Sequence, residues 1–128
     1  MKYQTSSLNE DQKQIIADAI SNVMETTKEY CESDFSLEKL ATLVNSNSKY
    51  VSQVINETYQ KNFSNYINEY RIREARIRLM DIEHYGNYTI KAISESLGYK
   101  SHATFINVFR KITGITPSIY QKMAKEQS

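Results

Sequence analysis

Residues 89–112 read TIKAISESLGYKSHATFINVFRKI. Thr89 is a capping residue, and Ile90, Ile93, Ser94 and Leu97 follow the i, i+3, i+4, i+7 spacing of a helix that buries one face. Gly98 stops that helix, and Ser101 opens a second whose inward positions are Phe105, Val108, Phe109 and Ile112. A short helix, a tight turn and a longer helix result, the grammar of a helix-turn-helix.

The same grammar occurs earlier in the chain. Ser36 precedes Leu37, Leu40, Ala41 and Val44, each 53 residues before its counterpart, and Asn45 to Ser48 break the helix. Asn47 then caps a helix with Val51, Val54, Ile55 and Thr58 inward, each 54 residues before its counterpart. Seven of the eight inward positions in each unit are Ala, Val, Ile, Leu or Phe, so the repeat outweighs a single pattern match.

Between the units, residues 63–83 are expected to form one connecting helix about 30 Å long. Phe63, Tyr66, Ile67, Tyr70 and Ile77 share one side, whereas Ile72, Ala75, Leu79 and Ile82 lie on the other, so each half can pack a different unit. Gly86 ends that segment. Thr116-Pro117 opens a final helix, 117–125, by the N-cap and Pro-at-N1 rule. Ile15, Ile16, Ala19, Ile20, Val23, Tyr30 and Cys31 indicate a further amphipathic helix from about Glu10 to Tyr30. The fold expected is all-α: about seven helices, with two helix-turn-helix units (36–60 and 89–114) joined by a long central helix. Residues 35–125 would make the domain, and 1–34 a linker or accessory helix.

Composition supports this. In 128 residues, three glycines and one proline argue against a β-turn-rich chain, and the length excludes a large multidomain enzyme. The single cysteine, Cys31, has no partner for an intrachain disulfide and no metal-ligand spacing around it, which points to a reducing, cytoplasmic setting and to no metal or other cofactor. Met1–Asn9 is polar and unlike a signal peptide, and no stretch approaches the length needed to span a bilayer. No Ser/His/Asp set, acid pair or phosphate loop suggests an enzyme. The net charge is only +1, yet residues 1–60 carry five Lys against nine acidic residues and residues 61–128 carry eleven Lys/Arg against six. The second half is the side suited to a polyanion.

The outward faces sharpen that reading. In a helix-turn-helix the second helix enters the DNA major groove, where its solvent face reaches base edges and phosphates. In the first unit that face carries Lys49, Ser52, Gln53 and Asn56, all able to hydrogen-bond. In the second it carries His102 at the helix start, then Ala103, Ile106, Asn107 and Arg110. Ile106 is either an incidental exposed residue or a contact for a thymine methyl, and Arg110-Lys111 suits phosphate. Arg71, Arg73, Arg76 and Arg78 on the connecting helix are left unassigned, apart from pairs such as Glu74 with Arg78. Tyr59, Tyr66, Tyr70, Tyr99 and Tyr120 read as core residues with a wet hydroxyl end.

Together these residues resemble the DNA-binding domain of AraC/XylS-type bacterial transcription regulators. The likeness is carried by Gly98-Tyr99, Ser101, Phe105, Phe109-Arg110-Lys111, Gly114, Thr116-Pro117 and Tyr120, and in the first unit by Leu40-Ala41, Tyr50-Val51-Ser52, Phe63, Tyr66-Ile67, Tyr70-Arg71-Ile72 and Ala75. Val51-Ser52-Gln53-Val54-Ile55-Asn56-Glu57 looks like the version common in Bacteroidetes regulators. The resemblance implies seven helices, two recognition helices in successive major grooves of double-stranded promoter DNA, and contact with RNA polymerase. It places Lys49, Ser52 and Gln53, and His102, Ala103, Thr104 and Asn107, at base-reading positions. It also implies a sensing or dimerisation region outside this chain. Asn107 stands where the family usually has a basic residue, Gln121 where Arg is frequent, Gln60 where Gly normally ends the first recognition helix, and Ser94 where Ala is usual. The competing reading is a helical protein-interaction module that keeps the fold without binding DNA.

Overall fold

Asn9 starts the first helix by a reciprocal cap: its Oδ1 accepts from the Gln12 amide at 2.8 Å, and its own amide donates to Gln12 Oε1 at 2.9 Å. This computed structural model describes residues 7–127. The first six residues of the polar Met1–Asn9 stretch lie outside them. Among the described residues the elements are α1 (Glu10–Thr26), a 3-10 turn (Glu29–Cys31), α2 (Leu37–Leu43), α3 (Ser48–Tyr59), α4 (Phe63–Met80), α5 (Ile82–Tyr85), α6 (Ile90–Ser96), α7 (His102–Thr113) and α8 (Pro117–Glu126). The described residues are all-helical, and eight α-helices stand among them where about seven were expected.

The chain divides into two units. One comprises the residues up to Thr27 with Ser36–Tyr66; the other comprises Lys28–Phe35 with Ile67 onward. In the first, α3 packs against both α1 and α2. Its core is Ile16, Ala17, Ile20 and Met24 of α1, Leu40 and Ala41 of α2, Val51, Val54 and Ile55 of α3, and Tyr66. In the second, α7 packs on α6 and α8, with Ile93, Leu97, Phe105 and Phe109 fully buried alongside Ile72, Ala75 and Leu79 of α4. Each fully buried aliphatic or aromatic side chain contributes about 1.5–3 kcal/mol. Such stripes hold these short helices in place.

The expected caps are present. Ser36, Asn47, Thr89, Ser101 and Thr116 each accept a hydrogen bond from the amide three residues on. Helix ends and some inward positions differ from expectation. The first helix stops at Thr26, not near Tyr30, because Thr26 and Thr27 turn their hydroxyls back onto the Asn22 and Val23 carbonyls and Thr27 is extended. Tyr30 and Cys31 are buried, but from the 3-10 turn. Ile15 is 68% exposed, since the buried stripe of α1 runs through Ile16, Ala17, Ile20 and Met24.

The connecting helix ends at Met80, short of residue 83, because Asp81 caps a separate turn, α5, by accepting from the His84 amide. Thr58, Ile77 and Ile112, expected to face inward, are exposed, and Val108 is half-buried. Thr58 and Ile112 fall in the last turns of their helices, where the neighbouring elements no longer cover the stripe. Of the five tyrosines, Tyr66 and Tyr99 are buried and the other three half-buried. No described helix is long and apolar enough to cross a membrane.

Candidate nucleic-acid interface

In the first unit, Asn47 Oδ1 accepts from the Tyr50 amide at 2.8 Å and sets the start of α3. Burial of Val51, Val54 and Ile55 then fixes the helix rotation, because the three lie on one face. That rotation leaves Lys49 and Asn56 exposed and Ser52 and Gln53 half-buried on the remaining surface. Asn56 Nδ2 donates to the Ser52 carbonyl at 3.0 Å, which leaves its second N–H and its carbonyl oxygen for other partners.

Gln53 Nε2 donates to Glu57 Oε2 at 3.2 Å, and Glu57 Oε1 meets Lys13 Nζ of α1 at 2.9 Å. The hydrogen bonds from Lys13 and then Gln53 hold the Glu57 carboxyl below its ordinary range. Glu57 escaped the sequence reading, although the i, i+4 spacing from Gln53 was there to be seen. Lys13, 44 residues away in sequence, gave no such signal. Gln60 ends α3 at φ +53 and ψ +40, and its side-chain amide donates to the Glu57 carbonyl at 3.0 Å. A residue other than glycine thus occupies the left-handed position.

In the second unit, Ser101 Oγ accepts from the Thr104 amide at 3.2 Å, and Phe105 and Phe109 anchor α7. His102, Ala103, Thr104, Asn107 and Arg110 are exposed, whereas Ile106 is half-buried at the edge of the helix's packed face. The side chain proposed for a thymine methyl is therefore partly covered by the protein itself. Arg110 and Lys111 lie in the last turn of α7, where cations complement the helix dipole. Gly114 closes α7 at φ +89.

The connecting-helix arginines separate into different roles. Arg71 donates from Nε to the Tyr30 carbonyl at 2.6 Å and from Nη2 to the Glu32 carbonyl at 3.0 Å, with its guanidinium 5.1 Å from the centroid of the Tyr99 ring. Arg78 meets Glu74 Oε2 at 2.9 Å, the pair expected from the sequence, and also donates to the Ser96 carbonyl and hydroxyl at 3.0 and 2.9 Å. These two tie the Lys28–Phe35 segment and the end of α6 to α4. Arg73 lies over the Tyr70 ring at 4.5 Å, and Arg76 over Tyr120 at 5.9 Å. Tyr99 donates its hydroxyl to Asn68 Oδ1 at 2.7 Å, and burial pushes its phenol up to about 12. Among the described residues no group of three or more His, Cys, Asp or Glu is arranged to hold a metal.

Two short-helix, turn, long-helix units, each with a polar or cationic outer face on its second helix, define a double helix-turn-helix protein. A family model described as a helix-turn-helix domain matches residues 40–123, and the chain belongs to that family in its AraC-type form.

The chain is 29% identical over 104 residues to the uncharacterized HTH-type transcriptional regulator YtdP of Bacillus subtilis; the match takes in 81% of this chain and 13% of YtdP's length. It is similar to the C-terminal domain of the two-component response regulator yesN from Fusobacterium nucleatum, at 26% identity and a TM-score of 0.68, over 82% of this chain and 96% of that one. The fold also matches the DNA-binding domain of the global transcriptional factor AdpA, solved with a target DNA, at 16% identity and a TM-score of 0.63, over 89% of this chain and 92% of that one.

Proposed function

We propose that this chain is the DNA-binding part of a bacterial transcription regulator, reading double-stranded promoter DNA with α3 and α7 in successive major grooves. The observation that supports it best is the pair of capped second helices, whose outer faces offer Lys49, Ser52, Gln53 and Asn56 in one unit and His102, Ala103, Thr104, Asn107 and Arg110 in the other, in a helix-turn-helix family member. Gln53, Asn56 and Asn107 match the donor and acceptor pattern of adenine, Lys49 that of guanine or phosphate, and Arg110 suits phosphate. Ile106 takes part through the exposed portion of its side chain. Residues 35–125 carry this activity, and within 1–34 the helix α1 serves as an accessory helix packed in the first unit. The cytoplasm is the compartment in which it acts, RNA polymerase is the second partner implied by the AraC/XylS resemblance, and a sensing or dimerising region elsewhere in the parent protein supplies control.

Fluorescence anisotropy of the purified chain with random-sequence duplexes, followed by selection of bound sequences, tests this. Log affinity is expected to fall with log salt at a slope of about −0.9 per phosphate neutralised, with enrichment of a defined site. Undetectable binding at low salt would favour a protein-interaction module instead.

A further inference from the structure

Both oxygens of the Glu57 carboxylate are engaged, and by different elements. Oε1 meets Lys13 Nζ of α1 at 2.9 Å, and Oε2 accepts from Gln53 Nε2 on α3 at 3.2 Å. Lys13 also reaches Glu10 Oε2 at 3.3 Å, and its side chain is only 23% exposed. The ammonium is therefore held between two carboxylates. A glutamine amide on a bare surface rotates about three side-chain bonds, and its two ends exchange places freely. Here one N–H is fixed by Glu57, which leaves the second N–H and Oε1 with a set orientation.

Those are the two atoms a bidentate contact to adenine requires. We propose that Lys13 and Glu57 are positioning residues that orient the base-reading amide of Gln53, so that α1 helps set DNA specificity without touching a base. This rests on the DNA-binding reading given above.

Charge gives the arrangement a second consequence. Glu57 follows Gln53 by one helical turn, on the side of α3 assigned to DNA, where an uncompensated carboxylate would repel phosphate. Lys13 supplies the compensation. Hydrogen bonding to the two carboxylates raises the Lys13 pKa, and that from Lys13 and Gln53 lowers the Glu57 pKa, so both stay charged near neutral pH. Exposed ion pairs of this kind add little to stability, so the contribution of this one lies in orientation.

The test combines bound-sequence selection with titrations of single-base variants for the wild-type chain, Gln53→Ala, Glu57→Ala, Lys13→Ala, Lys13→Arg and the Gln53→Ala/Glu57→Ala double variant, with an unfolding midpoint for each. Gln53→Ala is expected to identify the base position that is read. Glu57→Ala should lower discrimination at that position by at least about threefold, leave the other positions unchanged and barely move the midpoint. In the Gln53→Ala background, Glu57→Ala should change the preference no further. Lys13→Ala should give a smaller loss at the same position, and Lys13→Arg should restore it. An unchanged preference in Glu57→Ala, a uniform change at all positions, or the same change with and without Gln53 would overturn the proposal while leaving DNA binding intact. A wild-type chain that binds no DNA at low salt would overturn the underlying reading, and this proposal with it.

Discussion

Gly98 and Arg71 approach so closely that the turn after α6 has no room for a side chain. A Cβ at Gly98 would lie 2.7 Å from Arg71 Nη2 and 2.8 Å from the Cys31 carbonyl oxygen, and the backbone there has φ +94. The guanidinium that fills this space holds the Tyr30 and Glu32 carbonyls. The helix-turn-helix turn and the segment before α2 thus share one arginine.

Gly98→Ala should therefore combine left-handed strain with a clash, and destabilise the chain by about 2–4 kcal/mol. Gly114 has a similar φ of +89, but a Cβ there would meet nothing within 4 Å, so Gly114→Ala should show strain alone, about 1 kcal/mol. Urea unfolding of both variants checks this. Equal losses would show that the close approach of Arg71 and of the Cys31 carbonyl costs nothing.

Ser94 is buried, and its hydroxyl has no hydrogen-bond partner. A buried hydroxyl without a partner carries its desolvation cost uncompensated. Ser94→Ala should leave stability unchanged or raise it by up to about 1 kcal/mol, read from the same denaturation curves. A clear loss would mean that the hydroxyl contributes an interaction.

Glu74 is buried on α4, with Arg78 at 2.9 Å and Lys28 at 3.5 Å. Arg78→Ala would leave that carboxylate only the longer contact to Lys28 and open the contacts to Ser96, at a cost of about 2–4 kcal/mol. Glu74→Gln, which can still accept from Arg78 Nε, should cost less. Thermal unfolding that ranks the two the other way round would contradict this.

The capped helix starts and most of the buried stripe were legible in the sequence because they depend on neighbours three or four residues away. Asn47, Thr89 and Ser101 needed no tertiary information to be read as caps. What escaped was set by residues distant in the chain: the partners of Arg71 lie 41 and 39 positions earlier, and Arg78 reaches Cys31 at 3.9 Å across 47. Periodicity also extended the first helix to Tyr30, because Tyr30 and Cys31 are indeed buried, but from a 3-10 turn that belongs to the second unit. Of the candidate interface, the exposure of Lys49, Asn56, His102, Ala103, Thr104, Asn107 and Arg110 was legible, but not that Ser52, Gln53 and Ile106 are half-buried or that Gln53 is tethered.

Cys31 is buried, and burial pushes its thiol above the ordinary cysteine value, outweighing the nearby Arg78. The thiolate fraction near neutral pH should then fall below that of a free cysteine. Iodoacetamide labelling at mildly alkaline pH is expected to be slow in the folded chain and fast in urea. Comparable rates in both would show an accessible thiol.

Gln53 and Arg110 should fail in different ways when replaced by alanine. Gln53 sits in the second turn of α3, with one N–H held by Glu57 and two atoms left for a base, so its loss should relax preference at one position of the site, by about 1–3 kcal/mol. Arg110 is exposed in the last turn of α7, about two turns beyond the Ser101 cap, where the proposed docking would carry the helix past the base edges and alongside phosphate. Arg110→Ala should weaken all sequences about equally and reduce the salt slope by roughly one charge. Bound-sequence selections on both variants at two salt concentrations decide the matter: a uniform loss for Gln53→Ala together with an altered preferred sequence for Arg110→Ala would reverse the two assignments.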